Sequence, residues 1–233
     1  RLIQQPQISN NDKEKLEVIY RNANRMNYLI NELLTFSKIE MKQMRISVRK
    51  GDIMHFLEEL SHIFDIVAGE REIDFIVNLE DTEEEVWFSP SKLERILYNL
   101  LSNAFKYTQP GGYVKLSAKL IKEEKETFVQ ISVKDNGRGI PKEAQEQIFE
   151  SYYQVEKRDH REGFGLGLSL TRSLIHMHKG EIRVESEINK GSDFIVTLNV
   201  SEDAYNPDER SSENITTEEI QKYNQRIKET IEL

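Results

Sequence analysis

The stretch KLERILYNLLSNAFKYT, residues 92–108, carries an apolar helical face and a polar stripe beside it. The apolar positions recur at helical spacing and predict a helix with one buried face: Leu93, Ile96, Leu97, Leu100, Leu101 and Ala104. Asn99, Asn103 and Lys106 are spaced four and three residues apart, so they share one neighbouring stripe. Amide oxygens next to a cation could hold Mg²⁺ together with a phosphate group. Taken alone, the stripe is better explained as a solvated polar surface.

A second motif is VQISVKDNGRGIP, residues 129–141. A predicted strand ends at Asp135, and Gly137 and Gly139 permit a tight turn before Pro141. A carboxylate at a strand end can accept a hydrogen bond from an exocyclic amine such as that of adenine, and glycines let a planar base approach the backbone. An ordinary Asp-Asn-Gly turn is the alternative.

The third motif, GFGLGLSL, places glycines at 163, 165 and 167 directly before a helix. Each glycine inside a helix costs about 1 kcal/mol relative to alanine, so the cluster needs a reason. It could be a flexible hinge. It could also bring backbone N–H groups at the helix start close to phosphates. The string lacks the Gly-Lys-Ser/Thr ending of a phosphate-binding P-loop and does not follow a strand, so by itself it identifies no nucleotide fold.

Between these motifs the chain alternates short strands with helices and so predicts a mixed α/β domain. The predicted strands are MRISVRKGD, EIDFIVNLE, EVWFS, YVKLSAKLI, TFVQISVKD, GEIRVESEI and DFIVTLNV. Asp52 is expected to cap one helix, and Ser89 followed by Pro90 to begin another. A short helix is predicted from Pro141, and residues 151–163 are expected to be a loop.

A long helix is predicted before this domain, over residues 11–40. Its apolar residues alternate at spacings of three and four, as in a helix-pairing seam: Leu16, Ile19, Ala23, Met26, Ile30 and Leu33. The helix could pack on its own domain or form half of a dimerising helical hairpin, and the seam favours the hairpin. Residues 202–233 are polar, with too little apolar surface for a core of their own, and are predicted to be a linker.

Composition excludes several classes of function. The 233 residues carry a formal charge of −9 and contain no cysteine, which excludes disulfides and thiolate metal sites. The acidic balance disfavours sequence-independent binding to nucleic acid or anionic lipid. No apolar run approaches the roughly 20 residues that span a bilayer. We therefore expect no nucleic-acid partner and no direct membrane insertion of this chain.

Together and in this order, NLLSNAFKYT, DNGRGIP, IFESYY, GFGLGLSL and KGSDF strongly resemble the catalytic ATP-binding domain of sensor histidine kinases. That domain belongs to the wider group shared with Hsp90, type II topoisomerases and the MutL mismatch-repair proteins. The resemblance covers about residues 45–200 and implies an α/β (α+β) two-layer sandwich, with a mixed sheet covered by helices on one face. LINELLTFSKIE resembles the second helix of the family's dimerisation hairpin. The implied division is 1–43 for the partial hairpin, 44–201 for the ATP-binding domain and 202–233 for the linker.

The resemblance also implies roles for individual residues. Asn103 would be the Mg²⁺ ligand, with Asn99 beside the metal and the attacking group. Asp135 would hold the adenine amine. The remaining nucleotide-binding positions implied are Lys106, Tyr107, Gly137, Gly139, Gly163, Gly165, Leu166, Gly167, Leu168 and Ser192. The predicted loop of residues 151–163 would be the lid over the nucleotide, and a loop box beside this lid would contain Phe149, Tyr152 and Tyr153. Ser89 departs from the family, where an Asp usually stands, and we expect that change to affect helix capping only.

The family transfers phosphate to a His followed by Glu and then Arg/Lys-Thr-Pro, and none of the five histidines fits this pattern: His55, His62, His160, His176 and His178. RLIQQP, residues 1–6, resembles the end of the acceptor helix. The chain is therefore expected to be the ATP- and Mg²⁺-binding core of a protein-histidine kinase, inactive alone because its acceptor lies upstream. A non-catalytic nucleotide-binding module is the alternative. An ATPase or chaperone of the wider group is less favoured, because those proteins place a Glu where Asn99 stands.

The resemblance implies partners and a location as well. The expected partners are ATP, a response-regulator receiver domain in the same or another chain, and a second copy through helix 11–40 when the upstream helix is present. The expected location is the cytoplasmic portion of a membrane-anchored sensor.

Overall fold

The computed structural model describes residues 10–41, 43–154 and 165–231. Gly163, most of the predicted loop and the RLIQQP segment therefore lie outside the described residues. The α-helices of the described part are α1 (Asn10–Glu40), α2 (Ile53–Ser61), α3 (Ile63–Arg71), α4 (Pro90–Tyr107), α5 (Gly167–Met177) and α6 (Thr217–Ile231). Its strands are β1 (Arg49–Asp52), β2 (Asp74–Leu79), β3 (Glu85–Phe88), β4 (Tyr113–Lys122), β5 (Thr127–Asp135), β6 (Glu181–Glu187) and β7 (Gly191–Asn199).

Five strands form one mixed sheet in the order β2-β4-β5-β7-β6. β2 runs parallel to β4, and the other neighbours are antiparallel. Alternate residues of β5 and of the first part of β4 are buried, as expected for a sheet with one face on the core, and α4 and α5 pack against it. β1 and β3 form a separate antiparallel pair. The predicted mixed sheet with helices is confirmed.

Two predicted helices have a different form. Asp52 caps α2 as predicted, since its Oδ1 accepts a hydrogen bond from the His55 N–H at 2.9 Å. The helix then ends at Ser61 and restarts as α3, and at this break the Glu58 carbonyl accepts both from the Ser61 hydroxyl at 2.7 Å and from the His62 N–H at 3.3 Å. The segment after Pro141 forms two short 3₁₀ turns, Lys142–Ala144 and Gln147–Phe149, in place of one helix.

The C-terminal segment differs most from its prediction as a linker. In α6, Ile220, Tyr223 and Ile227 are buried in the main hydrophobic core. Their spacings of three and four place them on one face of the helix, which packs against α2, α3 and α4. The segment has too few apolar residues to form a core of its own, but these three residues complete the core of the predicted ATP-binding domain. The Arg49 guanidinium adds two hydrogen bonds of 2.7 Å to the Glu219 carboxylate.

The segment between α1 and β1 is fastened by the same C-terminal region. The Val48 N–H donates to the Glu209 carbonyl at 2.8 Å, and the Ser211 N–H donates to the Val48 carbonyl at 2.9 Å. Ile46, Val48 and Tyr205 form a small buried cluster. The strand predicted in MRISVRKGD is therefore shorter than expected, because Val48 bonds to the C-terminal segment and only Arg49–Asp52 pairs with β3.

Helix α1 contacts the domain near its C-terminal end. Arg95 donates to the Thr35 hydroxyl at 2.7 Å, and the Phe36 ring lies edge-on to Tyr152 with centroids 6.3 Å apart. The apolar residues of the predicted seam are exposed: Leu16, Ile19, Ala23, Met26, Ile30 and Leu33. Among the described residues no helix has the length and apolar character needed to cross a bilayer.

His178, which does not fit the acceptor pattern, is a buried structural residue. Its side chain is fully inaccessible to solvent. Its Nδ1 lies 2.9 Å from the Leu174 carbonyl oxygen, and its Nε2 accepts a hydrogen bond of 3.2 Å from the Ser89 N–H. These partners require a neutral imidazole with its proton on Nδ1. Ser89 thus begins α4 as predicted, but its side chain makes no capping hydrogen bond.

This arrangement predicts a pH-dependent contribution to stability. Burial lowers the pKa of His178 from 6.5 to about 4. The unfolded chain therefore binds a proton more readily between pH 6.5 and 4, so the stabilisation is present above pH 6.5 and is lost as the pH falls through that range. The loss amounts to about 3 kcal/mol. Glu94 acts in the opposite direction, because burial raises its pKa to about 7.

The contributions of His178 and Glu94 to the pH dependence are separated by comparing the native protein with His178→Gln. The free energy of unfolding of each is measured in urea at pH 7.0 and 4.5. We expect the variant to be less stable at pH 7.0 and its deficit to shrink by about 2–3 kcal/mol at pH 4.5. The same deficit at both pH values would contradict a neutral buried imidazole.

Candidate functional site

The polar stripe of α4 lies at the boundary between the core and solvent. Asn99, Asn103, Lys106 and Tyr107 are all half-buried, on the helix face next to its buried residues. The Asn99 amide nitrogen donates to the buried Thr171 hydroxyl of α5 at 2.7 Å. That bond leaves the amide oxygen on the side of the N-terminus of α5.

Asp135 ends the core-facing row of β5. The buried residues of that strand alternate through Val129, Ile131 and Val133, so Asp135 points toward the helices and is only 4% exposed. The Gly137 N–H donates to its Oδ1 at 2.8 Å. Burial raises the pKa of this carboxyl, while hydrogen bonds from the backbone of Gly137 and Ser192 act in the opposite direction. A buried carboxylate with remaining acceptor capacity is suited to a polar ligand that supplies a donor.

The turn after Asp135 meets the end of α4. The Arg138 N–H donates to the Tyr107 carbonyl at 3.4 Å. The Arg138 guanidinium carbon lies 4.3 Å from the centroid of the Tyr107 ring, and the Lys106 Nζ lies 5.0 Å from it. Two cations thus flank one aromatic ring beside the polar stripe. Sequence reasoning missed Arg138, although its place inside the glycine turn could have marked it as the second cation.

The described glycines of the third motif are required by close approach to the chain itself. Gly165 has φ of +69°, and a Cβ there would lie 2.6 Å from the Tyr153 carbonyl oxygen. A Cβ at Gly167 would lie 2.6 Å from the Asn99 Oδ1. Gly167 is also the first residue of α5, so the start of that helix sits directly against the polar stripe of α4. Gly163, which is also predicted to bind the nucleotide, lies outside the described residues.

The other residues predicted near the lid are placed differently from one another. Leu166 is buried and accepts a hydrogen bond of 2.9 Å from the Leu170 N–H, while Leu168 is half-buried against the core. Phe149 is a core residue, edge-on to Phe194 with ring centroids 6.4 Å apart. Tyr153 packs partly against the core.

Tyr152, also predicted for the loop box, is 60% exposed, has φ of +67° and contacts α1 through Phe36. The loop box therefore joins the core to α1.

Ser192 lies opposite Asp135 in the sheet, as the register of β5 and β7 requires. Its hydroxyl lies 3.0 Å from that of Ser186, whose Oγ accepts a hydrogen bond of 2.8 Å from the Ile140 N–H. The Gln145 amide nitrogen donates to the Ile140 carbonyl at 3.0 Å. Sequence reasoning missed Ser186 and Gln145, because neither belongs to a motif that was singled out.

The donor set fits a metal that arrives with phosphate groups. Among the described residues there is no cluster of three or more His, Cys, Asp or Glu side chains that could hold an ion alone. Asn103 supplies an amide oxygen on a half-buried surface, next to the Asn99 amide. Mg²⁺ accepts one such ligand when phosphate oxygens and waters complete its shell, so these residues fit a Mg²⁺–phosphate group.

Comparison with known proteins identifies the family of the domain that holds these residues. Residues 88–202 match the family described as histidine kinase-, DNA gyrase B- and HSP90-like ATPase. The chain is 34% identical over 190 residues to the sensor histidine kinase WalK of Bacillus subtilis, an alignment that covers 81% of this chain and 31% of WalK.

Two solved structures share the fold. Full-length ShkA in complex with AMPPNP superposes with a TM-score of 0.73 at 23% identity, covering 86% of this chain and 42% of ShkA. The histidine kinase ThkA in complex with the response regulator TrrA gives a TM-score of 0.63 at 21% identity, covering 87% of this chain and 55% of ThkA.

In eight of the curated relatives that it matches, the chain spans 13% to 47% of their length. The shared region nevertheless contains the polar stripe of α4, Asp135 with its glycine turn, and the start of α5. The chain therefore belongs to the histidine kinase-, DNA gyrase B- and HSP90-like ATPase family, and carries the catalytic domain of sensor histidine kinases.

Proposed function

We propose that this chain binds Mg²⁺-ATP between α4, the turn after Asp135 and the start of α5. It would then transfer the γ-phosphate of ATP to a His on the acceptor helix, the upstream helix that forms the predicted hairpin with α1. The phosphate would pass from there to an Asp of a response regulator. The supporting observation is the convergence of the three motifs on α4. The turn reaches α4 through the Arg138–Tyr107 hydrogen bond, and α5 reaches it through Gly167 and the Asn99–Thr171 hydrogen bond.

The residues divide the nucleotide between them. Asp135 accepts from the adenine amine, Lys106 and Arg138 face the phosphates, and Asn103 provides the metal ligand. When bound, Mg²⁺ would neutralise charge on the phosphate oxygens. Holding the γ-phosphate in place next to its acceptor supplies most of the rate in such a transfer, because little covalent chemistry is asked of the protein.

Asn99 supports phosphate transfer over hydrolysis. An amide oxygen cannot take a proton from water at neutral pH, so this position lacks a general base. The Thr171 hydroxyl accepts from the Asn99 amide nitrogen and thereby fixes which side of the amide faces the nucleotide. A hydrolase of the same fold would need a carboxylate here.

The binding half of the proposal is tested by calorimetry with a non-hydrolysable ATP analogue, with and without Mg²⁺. We expect binding that strengthens when Mg²⁺ is present. Failure to bind at millimolar nucleotide would refute the proposal. Transfer is tested by adding the acceptor helix and assaying for phosphohistidine. Binding without transfer would favour the regulatory-module alternative, and incorporation of phosphate on a His of this chain would overturn the expected position of the acceptor.

The proposed partners follow from the same function. A receiver domain would take the phosphate, and ThkA, which shares this fold, has been crystallised with a response regulator. A membrane-anchored sensor whose cytoplasmic portion includes this chain would supply the signal. A second copy would pair through the exposed seam of α1.

The seam gives a prediction about assembly. We expect a concentration-dependent mixture of monomer and dimer, and a tight dimer once the upstream helix is added. Ile30→Glu should lower the association constant at least tenfold, since burying each such side chain is worth about 1.5–3 kcal/mol. Sedimentation over a range of concentrations measures this constant. Ile66→Glu is the control, because Ile66 is 54% exposed but lies on α3. Equal effects of the two substitutions would show that α1 is not the interface.

A further inference from the structure

The turn that carries Gly137 and Gly139 is held at its far end by side chains from outside it. Both backbone groups of Ile140 are bound. Its N–H donates to the Ser186 Oγ at 2.8 Å, and its carbonyl accepts from the Gln145 Nε2 at 3.0 Å. A turn fastened at its last residue cannot shift relative to β6 without breaking these bonds.

The two side chains are also joined to one another and to the strand that faces Asp135. Gln145 donates a second hydrogen bond, of 2.8 Å, to the Ser186 carbonyl. The Ser186 hydroxyl donates to the Gly191 carbonyl at 2.8 Å, so in its contact of 3.0 Å with the Ser192 hydroxyl the latter is the donor. Ser192 is the cross-strand partner of Asp135. The network therefore links the turn to β7, the strand that pairs with β5 at Asp135.

The β6–β7 hairpin holds the middle of the turn too. The Asn189 N–H donates to the Arg138 carbonyl at 2.8 Å. Gly139 packs so closely on the Glu187 carbonyl that no side chain fits between them. The position of the turn is thus set by the hairpin and by Gln145, as well as by its own sequence.

We propose that Ser186 and Gln145 are positioning residues for base recognition by Asp135. They act without touching the nucleotide. They fix the position of the turn relative to the Asp135 carboxylate, so that a planar base fits between the two. The inference rests on the proposed function, since it assumes that Asp135 reads an adenine amine. Loss of either side chain should weaken binding of ATP and reduce its advantage over GTP, because the turn beside the base is loosened while Asn103 and Lys106 on α4 keep their positions.

The test compares Ser186→Ala, Gln145→Leu and the hydroxyl-retaining Ser186→Thr with the native protein. The matched control is Ser132→Ala, which removes a half-buried serine hydroxyl bonded at 2.6 Å to Asp193 of the same sheet. Dissociation constants for ATP and GTP are measured by calorimetry. Ser186→Ala and Gln145→Leu should each weaken ATP binding roughly three- to thirtyfold. The preference for ATP over GTP, measured as the ratio of their dissociation constants, should become smaller. Ser186→Thr and Ser132→Ala should keep native values.

Hydrogen exchange of the Ile140 amide gives a readout that needs no nucleotide, and it should be faster in Ser186→Ala. If the native protein binds no ATP, the proposed function fails, and faster exchange in Ser186→Ala still shows that the Ser186 side chain holds the turn. If the native protein binds ATP and the variants match it in affinity and in ATP/GTP ratio, the positioning role is overturned. An equal loss for both nucleotides overturns it as well, since that pattern indicates general loosening of the domain.

Discussion

Asp135→Asn should weaken ATP binding about ten- to a hundredfold while leaving the protein folded. The amide keeps an oxygen for the Gly137 N–H, which donates at 2.8 Å in the native protein. Its NH₂ group then replaces the second acceptor oxygen and faces the adenine amine with a donor. A poorly paired polar group at a buried site costs about 1–3 kcal/mol, which sets the expected range. Calorimetry with ATP measures the change, and thermal unfolding confirms that the variant is folded.

Asp193→Asn is the matched control. Asp193 lies next to Ser192 on β7 but is half-buried and accepts a hydrogen bond of 2.6 Å from Ser132. The same chemical change there should leave ATP affinity within about twofold, since surface substitutions away from special features have effects of about 0.5 kcal/mol or less. GTP should bind poorly to the native protein, because its exocyclic groups are reversed at that edge. Comparable native affinities for ATP and GTP would show that Asp135 does not read the base.

Tyr223→Ala should destabilise the whole domain by about 3–5 kcal/mol, the range for removal of a buried aromatic side chain. Tyr223 is 7% exposed and packs edge-on against Phe56 of α2, with ring centroids 5.9 Å apart. Its loss leaves a cavity between α6 and the core. At roughly 2–4 °C per kcal/mol for a chain of this size, the melting temperature should fall by about 6–20 °C.

Lys222→Ala controls for helix propensity, since Lys222 precedes Tyr223 on α6 but is exposed. It should change the free energy of unfolding by no more than about 0.5 kcal/mol. If Tyr223→Ala were as mild as Lys222→Ala, α6 would not be part of the core, and the prediction of a polar linker would stand.

The elements that could be predicted from the sequence are those whose apolar residues keep one helical or strand spacing from end to end. The apolar spacing in residues 92–108 defines α4, and its buried residues are those expected. Asp135 could be placed at a strand end because period-two alternation runs through β5 up to it. In both cases the information lies within one element, so short-range periodicity is sufficient.

Features that depend on a distant partner could not be predicted in the same way. Three apolar residues of α6 look insufficient until α2, α3 and α4 supply the rest of the core. His178 looks like part of a polar helix end because Ser89, which donates to it, lies 89 residues earlier. Gln145 and Ser186 are ordinary polar residues in sequence, and only the folded chain brings them together, at 2.8 Å.

The attachment of α1 has a mechanical consequence. The helix is held at Thr35 and Phe36, and the segment after it is bound at Val48 by the C-terminal region. The 21 residues from Asn10 to Ile30 extend beyond these points of attachment as a helical arm about 30 Å long, at a rise of about 1.5 Å per residue. A tilt of about 10° at the pivot would carry the tip of that arm about 5 Å sideways, roughly one helical turn. A small rotation of α1 at these points of attachment therefore moves the far end of the helix by a distance large enough to change which side chains pack against each other there.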